Sequence, residues 1–295
     1  MEPAPDLVRA ARIDRTLVLT IDHPPVNVLS RRVLEALETR LAEAEEDPEV
    51  RTVVLTSAAE KAFAAGANIR EMASMGPAEA FDHGGRGQAV TRRIERLPLP
   101  VIAAVHGVCL GGGCEIALAC DFIIASSDAQ FGQPEINLGV MPGWGGTRRL
   151  PRRIGAARAR RWIFTGRSVS ADVAEAEGLV DRVVPRSELL STALALSDEL
   201  AGKPALALAA AKFAILNALD PEIDRGLAYE LDLWARLFGT QGQREGMNAF
   251  LSKQVPPARS RADWGRESVG FPWAKGPASG PSIGKRKNTE VSGRD

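Results

Sequence analysis

Two isolated carboxylates stand out by their surroundings. Glu115 sits in HGVCLGGGCEIALACD (106–121), early in a segment that is otherwise apolar, and Glu135 sits in FGQPEINLGVMPGWGGTRRL (131–150), between a proline and a run of apolar residues and glycines. A carboxylate enclosed by apolar neighbours needs a partner or a function, because stripping water from its charge is costly. The glycines Gly111 to Gly113 lead directly into the helix predicted to carry Glu115. Unpaired N–H groups at such a helix start, with the dipole behind them, favour a developing negative charge. A second small-residue loop, AFAAGANIREM (62–72), lets another group approach the backbone around Gly66. A tight turn would explain the glycines alone, and helix-terminus electrostatics would explain Glu115 alone. The second isolated glutamate shifts the reading to a general acid/base pair beside an oxyanion hole.

The elements that must position these residues are those of an α/β chain. RIDRTLVLTID (12–22) alternates and predicts one strand, broken by HPPVN. SRRVLEALETRLAEAEED then predicts a helix from Ser30 to Glu46, with Ser30 as N-cap and Val33, Leu34, Leu37 and Leu41 on one face. RTVVLTSA (51–58), part of LPLPVIAAVHG (97–107) and DFIIASS (121–127) predict further strands, and NIREM begins a helix. Strands alternating with helices imply a layered α/β core. From about Ser187 the pattern becomes helical: ELLSTALALSDELAG, PALALAAAKFAILNAL, IDRGLAYELDLWARLFG and QREGMNAFLSKQ. The expected organisation is a core over 1–200, a helical module over 201–258 and a flexible Gly-, Pro-, Ser- and charge-rich tail over 259–295.

Composition excludes several function classes. Lys+Arg and Asp+Glu are both 37, so the net charge is zero and no field favours nucleic acid or a membrane surface. The seven arginines of RRLPRRIGAARARR (148–161) look like a nucleic-acid patch. The spacing of Ile154, Ala157 and Trp162 instead suggests a helix with one buried face and an arginine-rich outer one. Cys109, Cys114 and Cys120 form neither a disulfide framework nor a CxxC pair and read as small buried hydrophobes in a reducing, cytoplasmic compartment. The N-terminus reads as neither a secretory signal nor a transit peptide, and no apolar run is long enough to span a membrane. The glycines match no P-loop or dinucleotide fingerprint, no GxSxG offers a nucleophile elbow, and His106 has neither a second histidine nearby nor an HExxH to suggest a metal.

AFAAGANIREM, HGVCLGGGCEIALACDFIIAS and FGQPEINLGVMPGWGGTRRLPRRIG, in this order and spacing, resemble the enoyl-CoA hydratase/isomerase (crotonase) family; the likeness runs from about residue 12 to about 256 and includes TGRSVSADVAEAEGLVDRVVP (165–185) and REGMNAFLSK (244–253). The resemblance implies a spiral of repeated ββα units with C-terminal helices that support a trimer or a dimer of trimers. It implies reversible hydration of a trans-2-enoyl-CoA in fatty-acid or related catabolism, with coenzyme A arriving as part of the substrate and no further cofactor. By motif position the backbone N–H groups of Ala67 and Gly112 would hold the thioester carbonyl, Glu115 would activate water, and Glu135 would protonate C2. Val26, Val28, Ala65, Gly66, Asn68, Arg70, Gly111, Pro134, Gly143 and Trp144 would line the coenzyme A and acyl path.

Three departures bear on that expectation. Asn68 stands where the family often has Asp, Trp144 is bulkier than the alanine of some hydratases, and HPPVNVLS differs from the ALNAL wording of some members. The competing readings are a double-bond isomerase of the same fold, which needs a single base, a specialised dehydratase or ring hydratase using the same pair, and an RNA-binding protein with a vestigial site.

Overall fold

The strand expected over 12–22 is a hairpin. In the computed structural model, which describes residues 6–203, 205–219 and 223–254, β1 (Val8–Ile13) and β2 (Thr16–Ile21) pair antiparallel. The chain reverses at Asp14, whose φ of 51° is in the left-handed region that Asp tolerates. Asp-Arg carries none of the glycine that marks a two-residue turn, so the break was hidden. Beyond the hairpin, α1 (Arg31–Glu46) matches expectation: Ser30 accepts the Val33 N–H, and Val33, Leu34, Leu37 and Leu41 are buried.

A repeated unit then follows, in which one strand enters a large sheet, the next enters a small one, and helix follows. β3 (Thr52–Ser57) and β4 (Ala62–Ala64) lead to α2 (Ile69–Met72) and α3 (Pro77–Arg96). β5 (Val101–Val105) and β6 (Val108–Leu110) lead to α4 (Gly112–Ala119). β7 (Phe122–Ser126) and β8 (Gln130–Gly132) lead to a 3-10 turn (Pro134–Leu138), α5 (Gly146–Ile154) and α6 (Ala156–Thr165). β9 (Val169–Ser170), α7 (Ala171–Ala176) and β10 (Arg182–Val184) complete the sheets, ordered β1-β2-β3-β5-β7-β10 and β4-β6-β8-β9. This is the expected spiral of ββα units. Strands β5 and β7, at the parallel centre of the large sheet, are nearly all apolar because both of their faces are covered.

One helical expectation needs correction. The arginine-rich segment is two helices divided at Gly155, whose φ is 80°; Ile154 and Trp162 are buried as expected, but Ala157 is exposed and Ala159 takes the buried position. Arg149 also points inward, with its guanidinium 2.8 Å from Glu95. Helix α3, a segment the sequence reading did not assign, contains Gly84, Gly85 and Gly87. Their absent side chains make room for large neighbours: a Cβ on Gly87 would lie 2.2 Å from the Trp144 ring, and one on Gly84 would lie 2.5 Å from Leu231.

The C-terminal helices follow as read: α8 (Leu189–Ala201), α9 (Ala205–Leu219), α10 (Ile223–Leu237) and α11 (Gln241–Leu251). Helix α8 covers the outer face of the large sheet, with Leu189 and Ala193 against Val54, Ile102 and Ile124. Leu231 and Trp234 of α10, Phe238 just after it and Met247 of α11 form a buried cluster with Met72 and Ala80. Helices α10 and α11 thus share a buried cluster with α2 and α3, whereas the residues of α9 whose exposure is described are exposed or half-buried. The tail expected over 259–295 lies outside the described residues. Among the described residues no helix is long and apolar enough to cross a membrane.

Candidate active site

Strands β4, β6 and β8 run parallel in the small sheet, so their C-terminal ends share one edge. The backbone leaving them is Ala65–Ala67, Gly111–Gly112 and Gln133–Glu135, and all three segments face one cavity of about 310 Å³. The first loop is held from below by HPPVN. Val26 accepts the Ala65 N–H at 3.0 Å, and Leu29 donates to the Gly66 carbonyl at 2.8 Å. Asn27, fully buried with a φ of 51°, fixes that turn by donating to Ile21, Ser57 and Phe63 and accepting the His23 N–H.

Glycine is required where these loops meet. Gly66 (φ 95°) lies against the second loop, where an added Cβ would be 3.2 Å from the Leu110 carbonyl and 3.7 Å from the Gly112 nitrogen. Gly111 (φ 53°) is the residue before α4, and its Cβ would be 3.1 Å from Glu135 Oε1. Both conformations exclude ordinary side chains. Among the described residues the N–H groups of Ala67 and Gly112 donate to no other group. They are two free donors on facing loops, one of them at a helix start, which is the arrangement an oxyanion hole needs.

Glu115 occupies the first turn of α4 and is 2% exposed. Its Oε1 accepts the N–H groups of Trp144 at 2.7 Å and Gly146 at 2.8 Å. Burial raises its proton affinity well above the ordinary carboxylate range, the nearby Glu135 and Glu230 raise it further, and the two N–H donors pull it back. Glu135, on the 3-10 turn, is pushed from 4.5 to about 8, chiefly by burial. Its Oε2 is buried with no hydrogen-bond partner, so the acid is aimed into the cavity rather than spent on structure. Two interacting buried carboxyls titrate as a pair, because a charge on one disfavours a charge on the other.

The cavity brings together most residues expected from the sequence: Glu115, Glu135, Ala65, Gly66, Ala67, Gly111, Gly112, Pro134, Gly143 and Trp144. Val26, Val28, Asn68 and Arg70 are not in its wall. Val26 supports the Ala65 loop as described, and the Val28 carbonyl accepts from His23 Nδ1 at 2.8 Å. Asn68 caps α2 by accepting the Arg70 N–H, and Arg70 is exposed. Other wall residues were not foreseen: Ile69 and Met72 from α2, Trp234 from α10 and Phe250 from α11. Two buried polar residues were also missed. Gln133 has an Oε1 without a partner, placed with Glu115 Oε1 around Gly146. Glu230 on α10 is 3% exposed and accepts the Gly145 N–H at 2.7 Å. A signal existed for it: Leu227, Leu231 and Trp234 place Glu230 on the apolar stripe of its helix.

Known proteins resemble this chain in sequence and in fold. The enoyl-CoA hydratase/isomerase family matches residues 14–261. The chain is 44% identical to a short-chain-enoyl-CoA hydratase of Clostridium acetobutylicum, over 81% of this chain and 92% of that one. It is 41% identical to a crotonyl-CoA hydratase of Syntrophomonas wolfei, over 82% and 93%. A crystal structure of an enoyl-CoA hydratase from Bacillus anthracis superposes with a TM-score of 0.70 at 35% identity, covering 85% of this chain and 98% of the other. With two glutamates and two free backbone donors around one cavity, on a spiral of ββα units, the chain belongs to the enoyl-CoA hydratase/isomerase family.

Proposed function

We propose that this enoyl-CoA hydratase, a carbon–oxygen lyase, adds water reversibly and syn across C2=C3 of a short trans-2-enoyl-CoA by means of Glu115, Glu135 and the Ala67 and Gly112 N–H groups. The observation that carries this reading is the pairing of two buried carboxyls in one cavity beside two unused backbone donors. The thioester oxygen accepts both N–H groups, and as negative charge grows on it each donor stabilises the enolate by about 3–4 kcal/mol. Water bonds to C3 through oxygen while the Glu115 carboxylate takes its proton. Glu135, protonated near neutral pH, gives its proton to C2. Glu115 then holds one proton more and Glu135 one fewer; transfer through the next water restores the pair. Coenzyme A enters with the substrate, and the scheme uses no other cofactor. An isomerase would move one proton between carbons with one base, and the second buried carboxyl disfavours that reading.

Trp144 and Trp234 support a short acyl group. The Trp144 ring is seated where a Cβ on Gly112 would be 2.4 Å away, and Trp234 where one on Gly143 would be 2.8 Å away. Both indoles therefore wall the cavity close to the reacting carbons. The names of the two bacterial relatives fit the same reading. Self-association as a trimer or a dimer of trimers would cover the exposed Leu206 and Ile215 of α9 and Phe164 of α6. Three buried free thiols suit a reducing cytoplasm. The test is loss of the conjugated enoyl-thioester absorbance with crotonyl-CoA and with longer 2-enoyl-CoAs, beside a 3-enoyl-CoA. Turnover of the first above the others is expected; conversion of the 3-enoyl ester alone would mark an isomerase.

A further inference from the structure

Glu230 is a third buried carboxylate, and it holds the loop that holds Glu115. Four successive backbone N–H groups alternate between the two acids. Trp144 and Gly146 donate to Glu115 at 2.7 and 2.8 Å. Gly145 donates to Glu230 Oε1 at 2.7 Å and Thr147 to Glu230 Oε2 at 3.2 Å, and the Thr147 hydroxyl makes a short bond to the same Oε2. Gln88 Nε2 reaches Glu230 Oε1 at 3.4 Å and the Gly143 carbonyl at 3.0 Å. The segment is thus clamped between α4 on one side and α10 on the other.

Among the described residues, each hydrogen-bond partner of Glu230 offers it a donor, a set that an all-acceptor side chain satisfies. Arg149 is a nearby cation, but its guanidinium is engaged by Glu95 at 2.8 Å and by the Trp144 carbonyl at 3.0 Å. Glu230 therefore carries its charge on loop donors, at the desolvation cost that raises its own proton affinity. The direction of the Glu115 carboxylate follows from where Trp144 and Gly146 point, and that follows from where Gly145 and Thr147 are tied.

We infer that Glu230 is a positioning residue for hydration, setting through residues 144–147 the orientation of the Glu115 carboxylate toward water. The inference rests on the reading of Glu115 as the water-activating group. Misplacing a reacting group by about 1 Å can cost on the order of 10²-fold in rate. In Glu230→Gln the amide still accepts from Gly145 but turns a donor toward the Thr147 N–H.

The experiment is a double-mutant cycle on crotonyl-CoA hydration with wild type, Glu230→Gln, Glu115→Gln and both together. Expected is a fall in kcat on the order of 10²-fold for Glu230→Gln, with KM within about threefold. Added to Glu115→Gln, the same substitution costs under about threefold, because the carboxylate it directs is gone. Full cost in both backgrounds, or an unchanged kcat, overturns the inference. Thr147→Val, which removes the hydroxyl donor from the other side of the contact, carries the same cycle if Glu230→Gln does not fold; a smaller fall in kcat that vanishes beside Glu115→Gln is expected. Wild-type rates in Glu115→Gln would overturn the underlying reading itself, whereas an inactive Glu115→Gln beside a fully active Glu230→Gln would overturn the positioning role alone.

Discussion

Replacing Glu135 by Gln separates what the buried acid does for chemistry from what it costs the fold. Glu135 is pushed from 4.5 to about 8 by burial, with no partner on Oε2 to offset it. A carboxyl raised in the folded state holds its proton more tightly there than in the unfolded chain. The stability it lends is fully present below about pH 4.5 and is lost as pH rises toward 8. At about 1.4 kcal/mol per pH unit, the loss reaches about 3 kcal/mol near neutral pH and about 5 kcal/mol above pH 8. These are ceilings, because the residue is only partly buried as a whole and its cavity admits solvent. Gln has the same shape and no charge to desolvate. It is expected to match wild type at pH 4.5 and to exceed it by about 1–3 kcal/mol near neutral pH, or several degrees in Tm. The assay is denaturant or thermal unfolding of both proteins across that pH range. The same variant should lose about 10²–10⁴ in hydration rate. A stability gap that is independent of pH, or a wild type more stable than the variant at pH 8, would refute a Glu135 held protonated by burial.

Other substitutions test the remaining parts. Glu115→Ala leaves the Trp144 and Gly146 N–H groups without their acceptor and should destabilise by about 1–3 kcal/mol per group, whereas Glu115→Gln keeps an oxygen there and should unfold close to wild type; denaturant midpoints compare them. Gly112→Ala places a Cβ 2.4 Å from the buried Trp144 ring, next to an oxyanion donor, and should lower kcat by about 10²-fold or more while costing about 1–3 kcal/mol of stability. Trp144→Ala should cost about 3–5 kcal/mol of stability and raise kcat/KM for longer 2-enoyl-CoAs relative to crotonyl-CoA. Asn27→Ala removes the side chain that joins the HPPVN turn to β2, β3 and β4, and should lower stability by about 1–3 kcal/mol with KM rising as the Ala65–Ala67 loop loosens.

What the sequence made legible was chemistry that breaks a local pattern. Glu115 and Glu135 interrupt apolar segments, and the second of them made a turn alone an insufficient account of the glycines nearby. Elements whose own residues keep a local pattern, such as the one-faced stripe of α1 and the apolar run of β3, were legible for the opposite reason. Features that depend on distant neighbours were not. The period of α3 is masked by glycines whose purpose is to receive Trp144, Leu231 and Trp234, residues far along the chain. The hairpin turn at Asp14 uses a conformation that Asp-Arg does not advertise. Arg149 reads as part of a surface patch until Glu95 of α3 is placed beside it. The cavity wall from α2, α10 and α11 exists only after the spiral closes. Glu230 lies between these cases, since its helical stripe marked it, but its partners could be known only from the fold.

The central claim is that two glutamates divide one hydration. Its most direct test is kcat on crotonyl-CoA for Glu115→Gln and Glu135→Gln, with coenzyme A ester affinity measured separately for each. Falls of about 10²–10⁴ in kcat for both, at near-unchanged affinity, are the expected result. Either variant retaining hydration within about threefold of wild type would contradict the account, because hydration would then proceed without one of its two acid/base groups.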